Sequence, residues 1–130
     1  MKKKNTISST EAITRYIFDI KHYAATKRRI KYNAFLPIRG ETSIFRVNNL
    51  GEVQIWEIGD NHVAPMSSRT LVARGDLIAS DIFEEGLEIK PDTRNHKLHA
   101  NIVGWPLKEP EKAKFIATEL ADKAQLHLKP

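Results

Sequence analysis

Residues 98 to 106 carry the clearest strand pattern in the chain. Leu98, Ala100 and Ile102 recur at every second position, and turn-forming prolines and asparagine bound the run on both sides. With a period of two, these aliphatic side chains share one face. The opposite face begins polar and ends with an indole: His99, Asn101, Val103 and Trp105. The pattern predicts a central strand with a helix packed on its apolar face.

The clearest helical pattern follows directly, in residues 109 to 128. Its small and apolar side chains recur at helical spacing, at Ala113, Ile116, Ala117, Leu120 and Ala124. Glu109 and Glu111 lie in the predicted first turn, where the helix dipole favours negative charge. We therefore predict an amphipathic C-terminal helix that packs on the sheet.

Residues 8 to 26 fit two different structures. Ser8 and Glu11 have the spacing of a capping box. Apolar residues fall on one helical face, at Ile13, Tyr16, Ile17, Ile20 and Ala24. The centre of the same segment, ITRYIFDI, is rich in β-branched and aromatic residues, which favour a strand. We predict a helix here and keep a strand as the alternative.

Residues 41 to 47, ETSIFRV, alternate as a strand does. Ile44 and Arg46 point to one face, and Ser43, Phe45 and Val47 point to the other. The same alternation makes Arg46 a charged residue in the middle of an apolar strand.

The segments that follow predict shorter elements. Residues 51 to 63 predict an amphipathic helix with Val53 and Trp56 inward and a break or cap at Gly59. Residues 69 to 83 predict one or two strands broken near Gly75.

The elements together predict an α+β fold with one domain over residues 9 to 130. The expected sheet is small and either mixed or antiparallel, with the C-terminal helix packed on it. Residues 1 to 8 are predicted to form a disordered basic lead.

Charge is unevenly distributed along the chain. Residues 1 to 39 carry ten Lys or Arg against two acids, whereas the rest of the chain carries eleven against fourteen. Such an asymmetry favours an anionic partner for the basic part, although ordinary surface lysines would give the same count.

Within that basic part, four cations lie between two tyrosines. The cations are Lys27, Arg28, Arg29 and Lys31, and the tyrosines are Tyr23 and Tyr32. Lysine and arginine neutralise phosphates and release counterions, while aromatic rings stack on unpaired bases. The segment therefore predicts a surface that binds nucleic acid of unspecified type.

The composition also restricts where the protein works. The chain has no cysteine, which excludes disulfides and cysteine-based metal sites and suits a reducing compartment. No apolar run approaches the roughly 18 to 20 residues of a membrane helix. The basic start, MKKKN, is not followed by the apolar core of a signal peptide. We predict a cytoplasmic protein with no membrane partner.

The sequence contains no motif for a nucleotide cofactor or a hydrolase triad. GxGxxG, GxxxxGK and GxSxG are all missing. His96 and His99 have HxxH spacing, but a metal site needs a third ligand within reach, so an ordinary polar role is favoured. We predict no metal and no cofactor.

Arg46 and Arg74 are the candidate ligands for a phosphate. Because burying an unpaired charge is costly, Arg46 needs either an acid such as Asp76 or Asp81, or the anion of a ligand. The acid is the favoured partner. Arg74, next to Gly75, is a second candidate for holding the anion of a ligand, from a loop.

His99 is the candidate general acid or base of the same hypothetical site. If Arg46 and His99 were catalytic and Arg74 held phosphate, Asn101 and Trp105 would line the pocket of a small nucleotide- or RNA-processing enzyme. Trp105 fits the core or its rim better than a pocket wall.

Four segments occur in an order that resembles a family of small bacterial proteins of unassigned function. They are AFLP (34–37), ETSIFRV (41–47), EIGD (57–60) and HANIVGWP (99–106). The resemblance covers roughly residues 30 to 130. It implies no activity and no functional residues.

Three functional hypotheses follow, in order of preference. The first is a nucleic-acid-binding protein that uses the basic segment. The second is a small ribonuclease or ADP-ribosyl-transfer enzyme with Arg46, Arg74 and His99 in its site. The third is an operon-encoded component that binds a protein partner through the acidic C-terminal portion.

Overall fold

A six-stranded antiparallel sheet forms the centre of the computed structural model, which describes residues 7 to 130. The strands of the chain are β1 (Ala12–Ile17), β2 (Tyr23–Ala24), β3 (Arg29–Ile30), β4 (Thr42–Arg46), β5 (Ala73–Ile78), β6 (Glu88–Pro91), β7 (His99–Val103) and β8 (Gln125–Leu128). The large sheet has the order β6-β7-β4-β1-β5-β8, and β2 pairs with β3 in a separate hairpin. The predicted α+β class and antiparallel sheet are confirmed.

The helices cover both faces of this sheet. They are α1 (Glu52–Ile58), α2 (Ala64–Ser67), α3 (Ala79–Phe83) and α4 (Pro110–Lys123). A single π-helical turn, Gly59–Val63, joins α1 to α2, and short 3-10 turns occupy Ile20–His22 and Tyr32–Ala34. Of the predicted basic lead, residues 1 to 6 lie outside the described residues, whereas Ile7 packs against the main core.

Each face of the sheet contributes to its own hydrophobic cluster. The main core, which includes the buried face of α4, contains Ile13, Ile17, Ile44, Leu77, Ile102, Ile116 and Leu120. The second cluster, which includes residues of α1, contains Tyr16, Phe45, Val47, Ile55, Trp56 and Leu71. Because neighbouring strand residues point to opposite faces, the two clusters divide the sheet cleanly.

The helix predicted in residues 8 to 26 is wrong, because the segment contains strand β1. Ile13 and Ile17 face the main core while Tyr16 faces the second cluster. A strand buried on both faces has apolar residues at odd and even positions, so its pattern imitates a helical face. Ile20, the next residue of the supposed helical face, is 69% exposed.

The strand predicted in residues 98 to 106 exists as β7, but it is not the central strand. It lies second from one edge, between β6 and β4. Its alternation ends at Gly104, whose φ of 91° lies in the region that favours glycine. The turn there brings Trp105 into the main core with Ile102, instead of onto the face of His99.

The predicted C-terminal helix is confirmed as α4, but it is shorter than its pattern suggested. The helix ends at Lys123, and Ala124 is already extended. Residues 125 to 128 then form β8, which pairs with β5 at the second edge of the sheet. The apolar residues near the chain end therefore belong to two elements.

Gly59 is the C-cap of α1, as predicted, and from it the chain continues directly into the π-helical turn. Gly75 does not break a strand, because β5 runs through it. A Cβ at Gly75 would lie 2.4 Å from Ile30 Cδ1, so glycine lets β3 pack closely on the sheet. The helical pattern of residues 51 to 63 also placed Val53 inward, but its side chain is 70% exposed.

No helix within residues 7 to 130 is long and apolar enough to cross a membrane.

Candidate functional site

The cations of the basic segment are presented on a small hairpin. Strands β2 and β3 pair through Tyr23 with Ile30 and Ala24 with Arg29, and residues 25 to 28 form the turn. We call residues 23 to 31 the basic hairpin. Ile30 is 1% exposed and belongs to the main core, so it anchors the hairpin to the sheet.

Four cationic side chains of the basic hairpin are exposed: Lys27, Arg28, Arg29 and Lys31. Arg29 lies 3.5 Å from the Asp122 carboxylate, and both side chains are more than half exposed. Such surface pairs contribute little to stability. Among the residues that the structure describes, the other three form no ion pair.

The two tyrosines beside these cations are only half-buried, but both pack against the main core. The Lys114 ammonium lies 4.7 Å from the centre of the Tyr32 ring, a cation–π distance. One face of Tyr32 is therefore occupied by a cation from α4. This contact brings Lys114 next to the basic hairpin.

The predicted acidic partner of Arg46 exists, but it is Glu11 and not Asp76 or Asp81. Two of its nitrogens donate to the two oxygens of the Glu11 carboxylate, Nε at 2.5 Å and Nη2 at 3.1 Å. Hydrogen bonding to Glu11 raises the pKa of Arg46 despite its partial burial. Glu11 precedes β1, and residues 13 and 46 are paired in the sheet.

Arg74 is also paired, and its side chain is fully buried. It donates to Asp76 from Nε at 3.1 Å and to Glu52 from Nη2 at 2.7 Å. The Trp56 ring covers the guanidinium, whose carbon lies 4.6 Å from the ring centre. Burial alone would lower the pKa of Arg74, but the two carboxylates outweigh it and raise the pKa.

Arg46, Arg74 and His99 do not share a cleft. Arg46 pairs with Ile13 and lies on the face of the main core, whereas His99 pairs with Phe45 and lies on the other face. Arg74 is on the same face as His99 but three strands away, about 14 Å at the usual strand spacing.

The predicted pocket of His99 with Asn101 and Trp105 does not form either. Asn101 lines a different pocket with Glu41, Lys90 and Asp92, and Trp105 is buried in the main core.

His99 instead lines a pocket on the face of the second cluster. This pocket, which we call the histidine pocket, has a volume of about 260 Å³ and is lined by Ser43, Phe45, His62, Val63, Met66, Ser67, Asn95 and His99. Its wall includes part of the π-helical turn and α2. Single π-helical turns are rare in proteins, and those that do occur are often found at functional sites.

Three histidines surround the Phe45 ring, and two of them, His62 and His99, line the histidine pocket. The ring centres of His99, His96 and His62 lie 5.2, 5.4 and 6.4 Å from that of Phe45. The rings of His62 and His96 lie 4.7 Å apart. Residues 7 to 130 contain no cluster of three or more His, Asp or Glu side chains arranged to hold a metal ion. Imidazole nitrogens can donate or accept hydrogen bonds and transfer protons.

His99 makes two hydrogen bonds that sequence reasoning missed. Its Nε2 lies 2.8 Å from the Ser43 hydroxyl, and its Nδ1 lies 3.0 Å from the main-chain carbonyl of Asp92. The strand patterns place Ser43 beside Phe45 and His99 on a polar face, but they do not say that β4 and β7 are neighbours. The pairing of Phe45 with His99 decides that contact.

His96 is held in its neutral form. The Leu98 main-chain N–H donates to His96 Nδ1 at 3.0 Å, so that nitrogen carries no proton. Burial lowers the pKa of His96, and the charge of Lys97 and the protonated forms of His62 and His99 lower it further. Protonation of Nδ1 would also break the bond to Leu98.

We expect this lowered pKa to make the protein less stable in mild acid. The unfolded chain, with an ordinary histidine pKa of about 6.5, takes up a proton at higher pH than the folded chain does. The contribution of His96 to the free energy of unfolding is thus intact above about pH 6.5 and is lost as the pH falls through the folded pKa. His96→Asn keeps an acceptor for Leu98 and should lose less stability between about pH 7.5 and about pH 5.5. Chemical denaturation at both pH values measures the difference, and equal losses would contradict the prediction.

Comparisons with known proteins identify no relative of this chain. No protein-family model matches it, and searches of curated proteins and of solved structures find no match. The resemblance to small bacterial proteins stays a prediction.

Proposed function

We propose that the protein binds the phosphate backbone of nucleic acid through the basic hairpin. The observation that carries the proposal is the exposure of four cations on a hairpin that Ile30 holds against the main core. No acidic residue occurs from residue 20 to residue 40, so nothing along this stretch offsets the positive charge. A protein that neutralises phosphates releases their counterions, which drives binding.

The turn of the basic hairpin supports the proposal independently. Arg28 has a φ of 52°, a left-handed conformation that glycine or asparagine adopts more readily. An arginine at such a position costs conformational energy. Strained residues of this kind cluster at functional sites, and a phosphate-binding role gives a reason for the arginine.

The aromatic contacts restrict the kind of binding that we propose. The Lys114 ammonium already lies over one face of the Tyr32 ring, and Tyr23 packs against the main core. These contacts leave limited ring surface on which bases could stack. Lys114 adds one more cation beside the hairpin. Affinity should therefore come chiefly from phosphates, with little dependence on base sequence.

We also propose a cytoplasmic location, which the cysteine-free chain supports. The predicted protein partner stays a prediction.

The salt dependence of binding tests the number of phosphate contacts. If Lys27, Arg28, Arg29 and Lys31 each neutralise one phosphate, a plot of log K against log salt for a duplex should have a slope of about −3 to −4. A single strand should give a shallower slope. Fluorescence anisotropy of a labelled oligonucleotide at several salt concentrations measures both values. A wild-type protein that shows no binding at low salt would end the proposal.

A charge-reversal variant tests the location of the site. Arg28→Glu with Arg29→Glu should abolish binding, because two phosphate contacts become repulsive. The matched control is Lys90→Glu with Lys97→Glu, which changes the net charge equally at exposed positions on or beside β6 and β7. The control should keep most of its affinity. Equal loss in both variants would mean that net charge, and not the basic hairpin, determines binding.

A further inference from the structure

The hydrogen bonds of His99 determine which ring nitrogen carries its proton. A main-chain carbonyl can only accept, so the contact of 3.0 Å with Asp92 places the proton on Nδ1. The neutral ring then has an unprotonated Nε2. Since Nε2 lies 2.8 Å from the Ser43 oxygen, the Ser43 hydroxyl donates to it. This is the arrangement of an activated hydroxyl nucleophile, a base and a group that orients the base.

Both side chains of this pair stand on rigid elements. Ser43 lies on β4, and His99 lies on β7 at the residue paired with Phe45. Ser43 and Phe45 are two residues apart on one strand, so they point to the same face as His99. The contact between Ser43 and His99 therefore depends on sheet register and does not require a mobile loop.

The Asp92 carboxylate places a negative charge close to the His99 ring. The Asp92 carboxylate is 3.9 Å from His99 Nδ1, and both side chains are about four-fifths buried. Bonds from Arg94 to both carboxylate oxygens, at 2.8 Å each, hold the pKa of Asp92 well below its usual range. The carboxylate thus stays ionised and can stabilise a positive charge on His99.

The histidine pocket supplies the remaining parts of a reaction site. Phe45, Val63 and Met66 give it an apolar wall, and its volume of about 260 Å³ suits a short aliphatic group. Asn95 and His62 also line it, and an amide or an imidazole N–H can donate to an oxyanion. The site lies on the opposite face of the sheet from the anchor of the basic hairpin.

We propose that Ser43 and His99 are the nucleophile and general base of a site that hydrolyses esters of short acyl groups. Ser43 Oγ attacks the carbonyl carbon while its proton passes to His99 Nε2, and the alcohol leaves with that proton. Water then attacks the acyl group on Ser43, with His99 again as base. The carboxylic acid is released and the Ser43 hydroxyl is restored. This activity is separate from the proposed nucleic-acid binding.

Covalent labelling and ester hydrolysis test the proposal on the full chain. A fluorophosphonate should add once to the wild-type protein, at Ser43 by peptide mass mapping, and p-nitrophenyl butyrate should be hydrolysed. Ser43→Ala should abolish the adduct, and His99→Ala should slow labelling and hydrolysis by about 10²- to 10⁴-fold. Ser9→Ala, at an exposed position outside the pocket, should behave as wild type. No adduct, or an adduct elsewhere, would overturn the proposal.

A single-thiol variant provides a readout that does not depend on turnover. The chain has no cysteine, so Ser43→Cys introduces its only thiol. If His99 accepts the proton, this thiol should react with iodoacetamide faster at neutral pH than the thiol of Ser9→Cys. Adding His99→Ala should remove the advantage. A Ser43→Cys thiol that reacts no faster than the exposed control, or as fast without His99, would contradict the proposed base.

Discussion

Replacing Asp76 with alanine is expected to lower the free energy of unfolding by about 3 to 5 kcal/mol. Asp76 accepts from Arg74 at 3.1 Å, and the side chain of Arg74 is fully buried. Asp76 also accepts from the Thr14 hydroxyl at 2.7 Å and lies 3.3 Å from His127. Among the residues that the structure describes, the remaining counter-charge of the buried guanidinium is then Glu52, which is 65% exposed. Urea denaturation measures the loss.

Two further variants test whether the loss of stability in Asp76→Ala comes from the unpaired charge of Arg74. Glu52→Ala should cost much less than Asp76→Ala, because the Glu52 carboxylate is largely in water. Arg74→Met with Asp76→Ala should recover much of the stability, since it replaces the charged pair with neutral side chains. If the double variant were as unstable as Asp76→Ala, the penalty would not come from the unpaired charge of Arg74.

The second large effect is expected in the main core. Ile102→Ala should lower the free energy of unfolding by about 2 to 5 kcal/mol, the usual loss for a well-buried aliphatic residue. Ile102 is 0% exposed and is paired with Thr42 on one side and Ile89 on the other. A truncated side chain leaves a cavity that strands held on both sides cannot close.

The matched control for Ile102 is Leu107, an aliphatic residue close in sequence that is 62% exposed. Leu107→Ala should change the free energy of unfolding by no more than about 0.5 kcal/mol. Denaturation midpoints of the two variants and the wild-type protein make the comparison. An Ile102→Ala midpoint close to that of the wild type would mean that β7 is peripheral to the stability of the fold.

The two proposed activities use opposite faces of the sheet. The basic hairpin is anchored to the main core through Ile30, while the histidine pocket lies beside the second cluster at Phe45. Charge reversal at Arg28 and Arg29 should thus leave labelling of Ser43 unchanged. Ser43→Ala should likewise leave the salt dependence of nucleic-acid binding unchanged. Each proposal can therefore fail without the other.

Local patterns were enough to predict several elements. The period of two in residues 41 to 47 and the helical spacing that begins at residue 109 correspond to β4 and α4. Helix α4 is apolar along one face and strongly periodic, so its pattern has one simple solution. Strand β4 is buried on both faces, with Ile44 in the main core and Phe45 in the second cluster. The sequence also predicted the cationic surface of the basic hairpin. Charged side chains favour solvent, so their exposure does not depend on the details of packing.

Patterns failed where burial on two sides or a single turn changed the geometry. Strand β1 was predicted as a helix because Ile13 and Tyr16 are buried in different clusters. Trp105 was assigned to the wrong face because the positive φ of Gly104 interrupts the alternation. In both cases the local sequence is compatible with more than one arrangement, and only long-range packing selects one.

The sequence by itself determined the α+β class, the unequal charge along the chain and the lack of a thiol. Only the tertiary structure decided which charged and polar residues meet. Arg46 binds Glu11 across 35 positions, and Ser43 meets His99 across 56. These contacts depend on strand order and register, which arise from the packing of the whole sheet. A side chain's type sets what it can bind, whereas its partner is set by which strands lie side by side.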